Sequence, residues 1–199
     1  MASMPSLPAD KLQALKDEFC ALLRSVDRPG VEALLSWLDT ETDFFTAPAS
    51  TQHHCAIYGG LLMHSLEVHK LLHNFSKQVA GVSEDTLIIC GLLHDVCKTN
   101  FYAAKTRNVK NEQGRWEERE YFAVEDSFPL GHGEKSLFLI MRHIPLTDEE
   151  ALAIRWHMGG YDDAARSYIG GRTQAAAYEL YPLCAALNIA DTYAAHFRC

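Results

Sequence analysis

No stretch of the chain stays apolar for anything near the roughly 20 residues of a membrane-spanning helix, so no bilayer span is expected. Paired cysteines are missing too. Cys20, Cys55, Cys90, Cys97, Cys184 and Cys199 are scattered, mostly within apolar helical patterns, and none forms a CxxC. That fits buried thiols in a reducing cytoplasm better than a disulfide framework. An excess of positive charge is absent as well. The net charge is −8 at pH 7, which argues against a general nucleic-acid coat protein but leaves room for a local basic patch. The opening segment "MASMPSLPADKLQ" lacks the basic-then-apolar layout of a secretory signal, and a cytoplasmic location is expected. Internal repeats and low-complexity segments are also lacking.

What is present is an ordinary globular composition with many histidines. With 199 residues, 48% hydrophobic and 22% charged, the chain can bury one sizeable core and is expected to form one domain, at most with a small appendage. Its ten histidines exceed the usual share for this length, so their positions matter. Helical periodicity runs through "PADKLQALKDEFCALLRSVDRPG", "VEALLSWLDT" and "LLMHSLEVHKLLHNFSKQVA". Ser83 can cap a fourth helix through "EDTLIICGLLHDVCK". Between Tyr102 and Glu125 the pattern changes to β-branched and aromatic residues around "NEQG", which predicts a β-hairpin. Helices resume at "GEKSLFLIMRHI" and at "TDEEALAIRWHM", where Thr147 and Glu150 form a capping box and Gly159-Gly160 a stop. The last segment, "TQAAAYELYPLCAALNIADTYAAHF", is helical with Pro182 kinking or splitting it. The expected fold class is therefore all-α, a compact helical bundle with one inserted hairpin at about 102–125. Residues 1–50 would supply helices packing on a core domain of residues 51–199.

Several polar residues sit where apolar ones are expected. In "GLLHDVCK", His94 and Asp95 end a run marked as buried by Leu87, Ile88, Ile89, Leu92 and Leu93, and a charge there is costly unless paired. Lys98 lies one turn beyond His94, so His94, Asp95 and Lys98 form a contiguous polar patch. His64 shares a face with Val68, Leu71 and Phe75, whereas His69 and His73 fall on the opposite side and are expected at the surface. Asp191 shares an apolar stripe with Leu180, Cys184 and Leu187. A single inward histidine is usually a satisfied core residue, because one hydrogen bond suffices for it. Two aspartates and several histidines turned inward on separate helices point instead to a divalent cation, which pairs both carboxylates at once and takes neutral imidazole as ligand.

With these residues in place the sequence resembles the HD-domain superfamily of metal-dependent phosphohydrolases. The pattern H…HD…D is carried by "LLMHSL" (His64), "LLHDVCK" (His94, Asp95) and "NIADTY" (Asp191). A subset of that family has two more histidines between the HD pair and the last aspartate, and "PLGHGEKS" (His132) and "IRWHMGG" (His157) match them. The resemblance spans roughly Gln52 to Phe197. "HD" alone is weak, but the ordered set of six is specific. The segment "QHHCAIYGGLLMHSL" also looks like the start of HD domains found in some exoribonucleases.

The resemblance implies one or two divalent transition-metal ions (iron, manganese, zinc or nickel). His64, His94 and Asp191 would hold the first, His132 and His157 the second, with Asp95 between them. It implies hydrolysis of a phosphate ester by metal-activated water, with Asp95 and Lys98 as catalytic residues and Lys98 contacting a phosphoryl oxygen. The substrate class it implies is a small phosphorylated molecule, a nucleotide or short oligonucleotide. The same ligand set serves di-iron oxygenases of HD type, and a non-catalytic nucleotide sensor is a further alternative. Outside the motif, His53 and His54 sit in the loop before the His64 helix and could reach substrate. His143 is a weaker candidate at a helix end, where the dipole favours it anyway. His196 reads as a bland residue near the chain end. Cys97 points away from His94 on a helical wheel and is left out of the site. Lys105, Arg107, Lys110, Arg115 and Arg119 read as a solvated hairpin face, and only weakly as phosphate clamps.

Overall fold

A computed structural model describes residues 4–76 and 81–198 of the chain. Among them are eight helices and one antiparallel hairpin. In chain order they are α1 (Ala9–Ser25), α2 (Val31–Thr40), α3 (Gly60–Ser76), α4 (Glu84–Leu93), β1 (Tyr102–Lys110), β2 (Trp116–Val124), α5 (His132–Met141), α6 (Asp148–Trp156), α7 (Tyr168–Leu180) and α8 (Pro182–Phe197). The family of elements is all-α with one hairpin, as the periodicity predicts. Residues 77–80, where the third helix was expected to end, lie outside the described residues.

Local chemistry sets most boundaries. The Ser83 hydroxyl accepts from the Thr86 amide and caps α4. Thr147 and Glu150 form the reciprocal capping box of α6. Pro182 takes the first position of α8, where its missing N–H costs nothing, so it separates two helices rather than kinking one. Leu180 consequently belongs to α7 and is exposed, so it does not share the Asp191 stripe as expected; Cys184 and Leu187 do lie buried on α8. The α7 helix also starts earlier than expected, at Tyr168, after two short 3-10 turns. In the hairpin Tyr102 pairs with Val124 and Lys110 with Trp116, and the Asn111 side chain accepts from the amides of Gln113 and Arg115 to close the turn.

One hydrophobic core runs through the bundle. Phe19 and Leu23 of α1 and Leu34 and Leu38 of α2 are buried in it together with Leu61, Leu62 and Leu66 of α3, Ile88 and Ile89 of α4, and Leu183 and Leu187 of α8. The helices α3 and α4 approach closely because Gly91 has no side chain: a Cβ there would stand 2.5 Å from the His69 Cα. This contact corrects the reading of His69 as a surface residue. It is buried between the two helices, and only His73 is exposed, at the end of α3. The wheel of α3 alone cannot show that a neighbouring helix covers part of its polar side. His143 stacks on Trp37 with ring centroids 4.8 Å apart, and His196 is exposed.

Candidate metal centre

Buried and half-buried polar side chains from five segments meet where α3, α4, α5, α6 and α8 converge. His64 comes from the second turn of α3, and Asp191 from α8, which packs along α3. α4 ends at Leu93, and the chain passes through His94 and Asp95 into a 3-10 turn at Val96–Lys98. That break differs from the continuous helix expected through Lys98, and it turns His94 and Asp95 inward together. His132 opens α5, and His157 caps the end of α6. The two helices lie close because Gly133, next to His132, faces the Arg155 carbonyl, where a Cβ would stand at 2.1 Å. Arg155 of α6 also joins the two by pairing with Glu134 of α5 at 2.5 Å, and it holds Asp162, just past α6, at 2.6 Å.

All six histidine and aspartate positions expected from the sequence come together. Asp95, itself almost wholly buried, stands at the centre. Its Oδ2 lies 3.5 Å from His64 Nε2, 3.6 Å from His94 Nε2 and 2.6 Å from Lys98 Nζ. Its Oδ1 faces the other way, 2.8 Å from His132 Nε2 and 3.5 Å from His157 Nε2. Asp191 Oδ1 is 3.0 Å from His64 Nε2 and 3.8 Å from His94 Nε2. The aim of two rings is fixed from behind. His94 Nδ1 donates to the Gly91 carbonyl at 2.9 Å and His157 Nδ1 to the Ile154 carbonyl at 2.7 Å, which leaves each Nε2 pointing inward. Asn188 tightens the second arrangement by donating to the His157 carbonyl at 2.6 Å.

Some inward atoms satisfy one another, His64 with Asp191 and His132 with Asp95, and others do not. His94 Nε2 and His157 Nε2 are buried and make no hydrogen bond. Orphaned buried nitrogens are costly, and two of them beside two carboxylates form a donor set suited to a divalent cation. Among the described residues, three overlapping groups have donor atoms close enough to hold an ion: His64, His94 and Asp95; His94, His157 and Asp191; and Asp95, Cys97 and His132. The residues present therefore fit a metal.

Electrostatics follows from this crowding. Burial pushes the His94 imidazole down to about 3, against the pull of Asp95 and Asp191, so it is neutral and able to donate a lone pair. Burial also works against charge on Asp95, but Lys98 and the neighbouring histidines outweigh it and hold the carboxyl well below its usual range. Asp191 is held low in the same way, burial being outweighed chiefly by His64. Lys98 is pushed up: burial opposes its charge, and Asp95 beside it prevails.

Two further residues, Cys97 and His54, border the cluster. Cys97, read as pointing away, has its Sγ 3.4 Å from His132 Nδ1 and 3.6 Å from Nε2. At 100° per residue Cys97 falls only about 60° from His94, and the 3-10 turn after Asp95, advancing by about 120° per residue, brings it closer still to that side. His54 stands with its ring 5.0 Å from that of His64, and burial lowers its pKa to about 4. The Ser50 hydroxyl, bonded to the His54 carbonyl and the His53 amide, shapes this loop, and His53 itself faces solvent. Beside the cluster opens a cavity of about 260 Å³ lined by Lys98, Phe101, His132 and Lys135 among others. The hairpin cations Lys105, Arg107, Lys110, Arg115 and Arg119 are all exposed and do not line it.

A helical bundle closing on a buried cluster of histidines and aspartates defines a domain built around a candidate metal centre. The family model for the HD domain matches residues 61–196, and the chain belongs to that family. No curated protein and no solved structure matches the chain.

Proposed function

We propose that the protein is a metal-dependent phosphohydrolase that cleaves the phosphate ester of a small substrate, a nucleotide or short oligonucleotide. The observation that carries this reading is the division of Asp95, one oxygen toward His64, His94 and Lys98 and the other toward His132 and His157. A carboxylate placed in this way suits a bridge between two ions. His64, His94 and Asp191 would hold one, His132 and His157 the other, the ions being iron, manganese, zinc or nickel. When bound, they lower the pKa of water and offset charge on phosphoryl oxygens. Residues 51–199 would form the working unit and residues 1–50 its buttress: Asp43 of that segment accepts from the Asn100 amide at 2.6 Å and so holds the chain just after Lys98.

The chain's own groups supply the rest. Lys98 keeps its ammonium beside Asp95 and at the cavity, where it can meet a phosphoryl oxygen. Lys135, held by Asp126 at 2.6 Å, adds a second cation to the same wall. The cavity has room for a phosphoryl group and a small part of what carries it. These two lysines favour a phosphorylated substrate, and the full set of six candidate ligands counts against a passive nucleotide sensor. The test is a screen of phosphomonoesters, phosphodiesters and nucleotides on protein loaded with each metal, with oxygen uptake followed in parallel. Phosphate release without oxygen uptake supports the proposal. Oxygen uptake with iron and no phosphate release would replace it with the oxygenase, and binding without turnover with the sensor.

A further inference from the structure

The two sides of Asp95 differ in one donor. On the His64 side the groups are imidazoles and carboxylates, whereas on the His132 side a sulfur stands among them. Cys97 is 3% exposed, and its Sγ lies 3.6 Å from His132 Nε2, the nitrogen that also meets Asp95 Oδ1 at 2.8 Å. Zinc binds sulfur at about 2.3 Å and imidazole nitrogen at about 2.1 Å, so two such donors on one tetrahedral ion stand about 3.6 Å apart. The sulfur is also 3.4 Å from His132 Nδ1 and so lies over the ring, and a turn of that ring is what lets both donors meet one ion. A second observation points to the same place. His157, fully buried, aims an unpartnered Nε2 at the same Asp95 oxygen from 3.5 Å, and its ring is 5.1 Å from that of His132. Among the described residues, no other cysteine belongs to a group able to hold an ion.

We infer that Cys97 is a direct ligand of the metal on the His132 side, so that this half of the centre is a sulfur-containing site with Asp95 and His132. The inference rests on the proposed metal centre. Binding displaces the thiol proton to solvent and leaves a thiolate–metal bond with no change in oxidation state. Thiolate is a soft donor, so this half should prefer zinc, cobalt(II) or iron(II) to manganese, while the His64 side should discriminate less.

The test is optical and needs no turnover. Protein loaded with cobalt(II) should show visible d–d bands together with a near-ultraviolet band from sulfur-to-cobalt charge transfer. Cys97→Ser should lose the charge-transfer band and keep d–d bands. Its zinc affinity should fall by about tenfold to a hundredfold or more, the range known for loss of even a supporting group, with manganese affinity nearly unchanged. X-ray absorption of the zinc-loaded wild-type protein, which needs no variant to fold, should show a sulfur neighbour at about 2.3 Å. Cobalt d–d bands without charge transfer, and a zinc shell of nitrogen and oxygen alone, would overturn the role of Cys97 and leave the metal centre standing. Failure to take up any cobalt or zinc would overturn the metal centre and this inference with it.

Discussion

Two sets of buried polar groups interrupt the helical core, and they are built in opposite ways. Around Glu150 every acceptor is used: Arg28 donates to both carboxylate oxygens at 2.6 and 3.1 Å, Thr86 donates at 2.9 Å, and the Thr147 amide at 2.9 Å. Around Asp95 the nitrogens of His94 and His157 converge on carboxylates without a hydrogen bond between them. Both sets are desolvated, so the difference lies in completion. A network that satisfies itself joins the loop after α1 to α4 and α6 and holds the fold. One that does not is completed by something from outside, and its shape says what. Unpartnered imidazoles beside two carboxylates ask for a cation.

That contrast can be broken from either side, and the largest effect should come from the closed network. Glu150→Gln keeps the shape and strands the Arg28 guanidinium, which should cost about 3 kcal/mol, the lower end for a broken buried pair because Arg28 keeps some solvent contact. Chemical denaturation measures it, and turnover per folded molecule should be unchanged. The same residue sets a pH dependence. Burial alone would raise the Glu150 carboxyl, but Arg28, Thr147 and Thr86 outweigh it and hold the pKa below the ordinary value. Its contribution is therefore complete above the unfolded value of about 4.3 and is lost as pH falls through the folded pKa. The wild-type loss of stability in acid should be shallower in the Gln variant.

Next comes Asp95→Asn in the open network. Activity should fall at least about a hundredfold, the scale of lost electrostatic stabilisation at a reacting centre. Stability of the metal-free protein should change little, since relief of a desolvated carboxylate is offset by stranding the buried Lys98. Near-normal turnover would remove Asp95 from the mechanism. Smaller again is Lys98→Met, which keeps the apolar stem and deletes the ammonium. Hydrolysis should drop by about tenfold, matching about 1.5 kcal/mol for one charged hydrogen bond, with metal content unchanged. A variant that loses its metal instead would make Lys98 a support of the ligands.

The closed network was half legible: the Thr147–Glu150 capping box is a local pattern, but the arrival of Arg28 from the loop after α1 is not. The site was more legible than its surroundings. His64, His94, Asp95 and Asp191 stand out because polar residues on apolar helical faces are conspicuous, and His132 and His157 follow from order along the chain once the family is suspected. What escaped depends on geometry that periodicity assumes away. Cys97 is three residues from His94 and already near its face, a side the tightening after Asp95 brings it closer to, and His69 escaped because α4 closes over it at Gly91. Leu180 was misplaced because its face was counted across Pro182, which separates two helices.

We take the open network to be a metal centre with two halves. Elemental analysis of protein purified without chelator tests it most directly, repeated on His132→Ala. The wild-type protein should carry transition metal approaching two equivalents, removable by chelator with a fall in melting temperature, and the variant should retain about one. Wild-type protein free of metal, whose melting temperature and activity do not respond when zinc, iron, manganese or nickel is added, would contradict it.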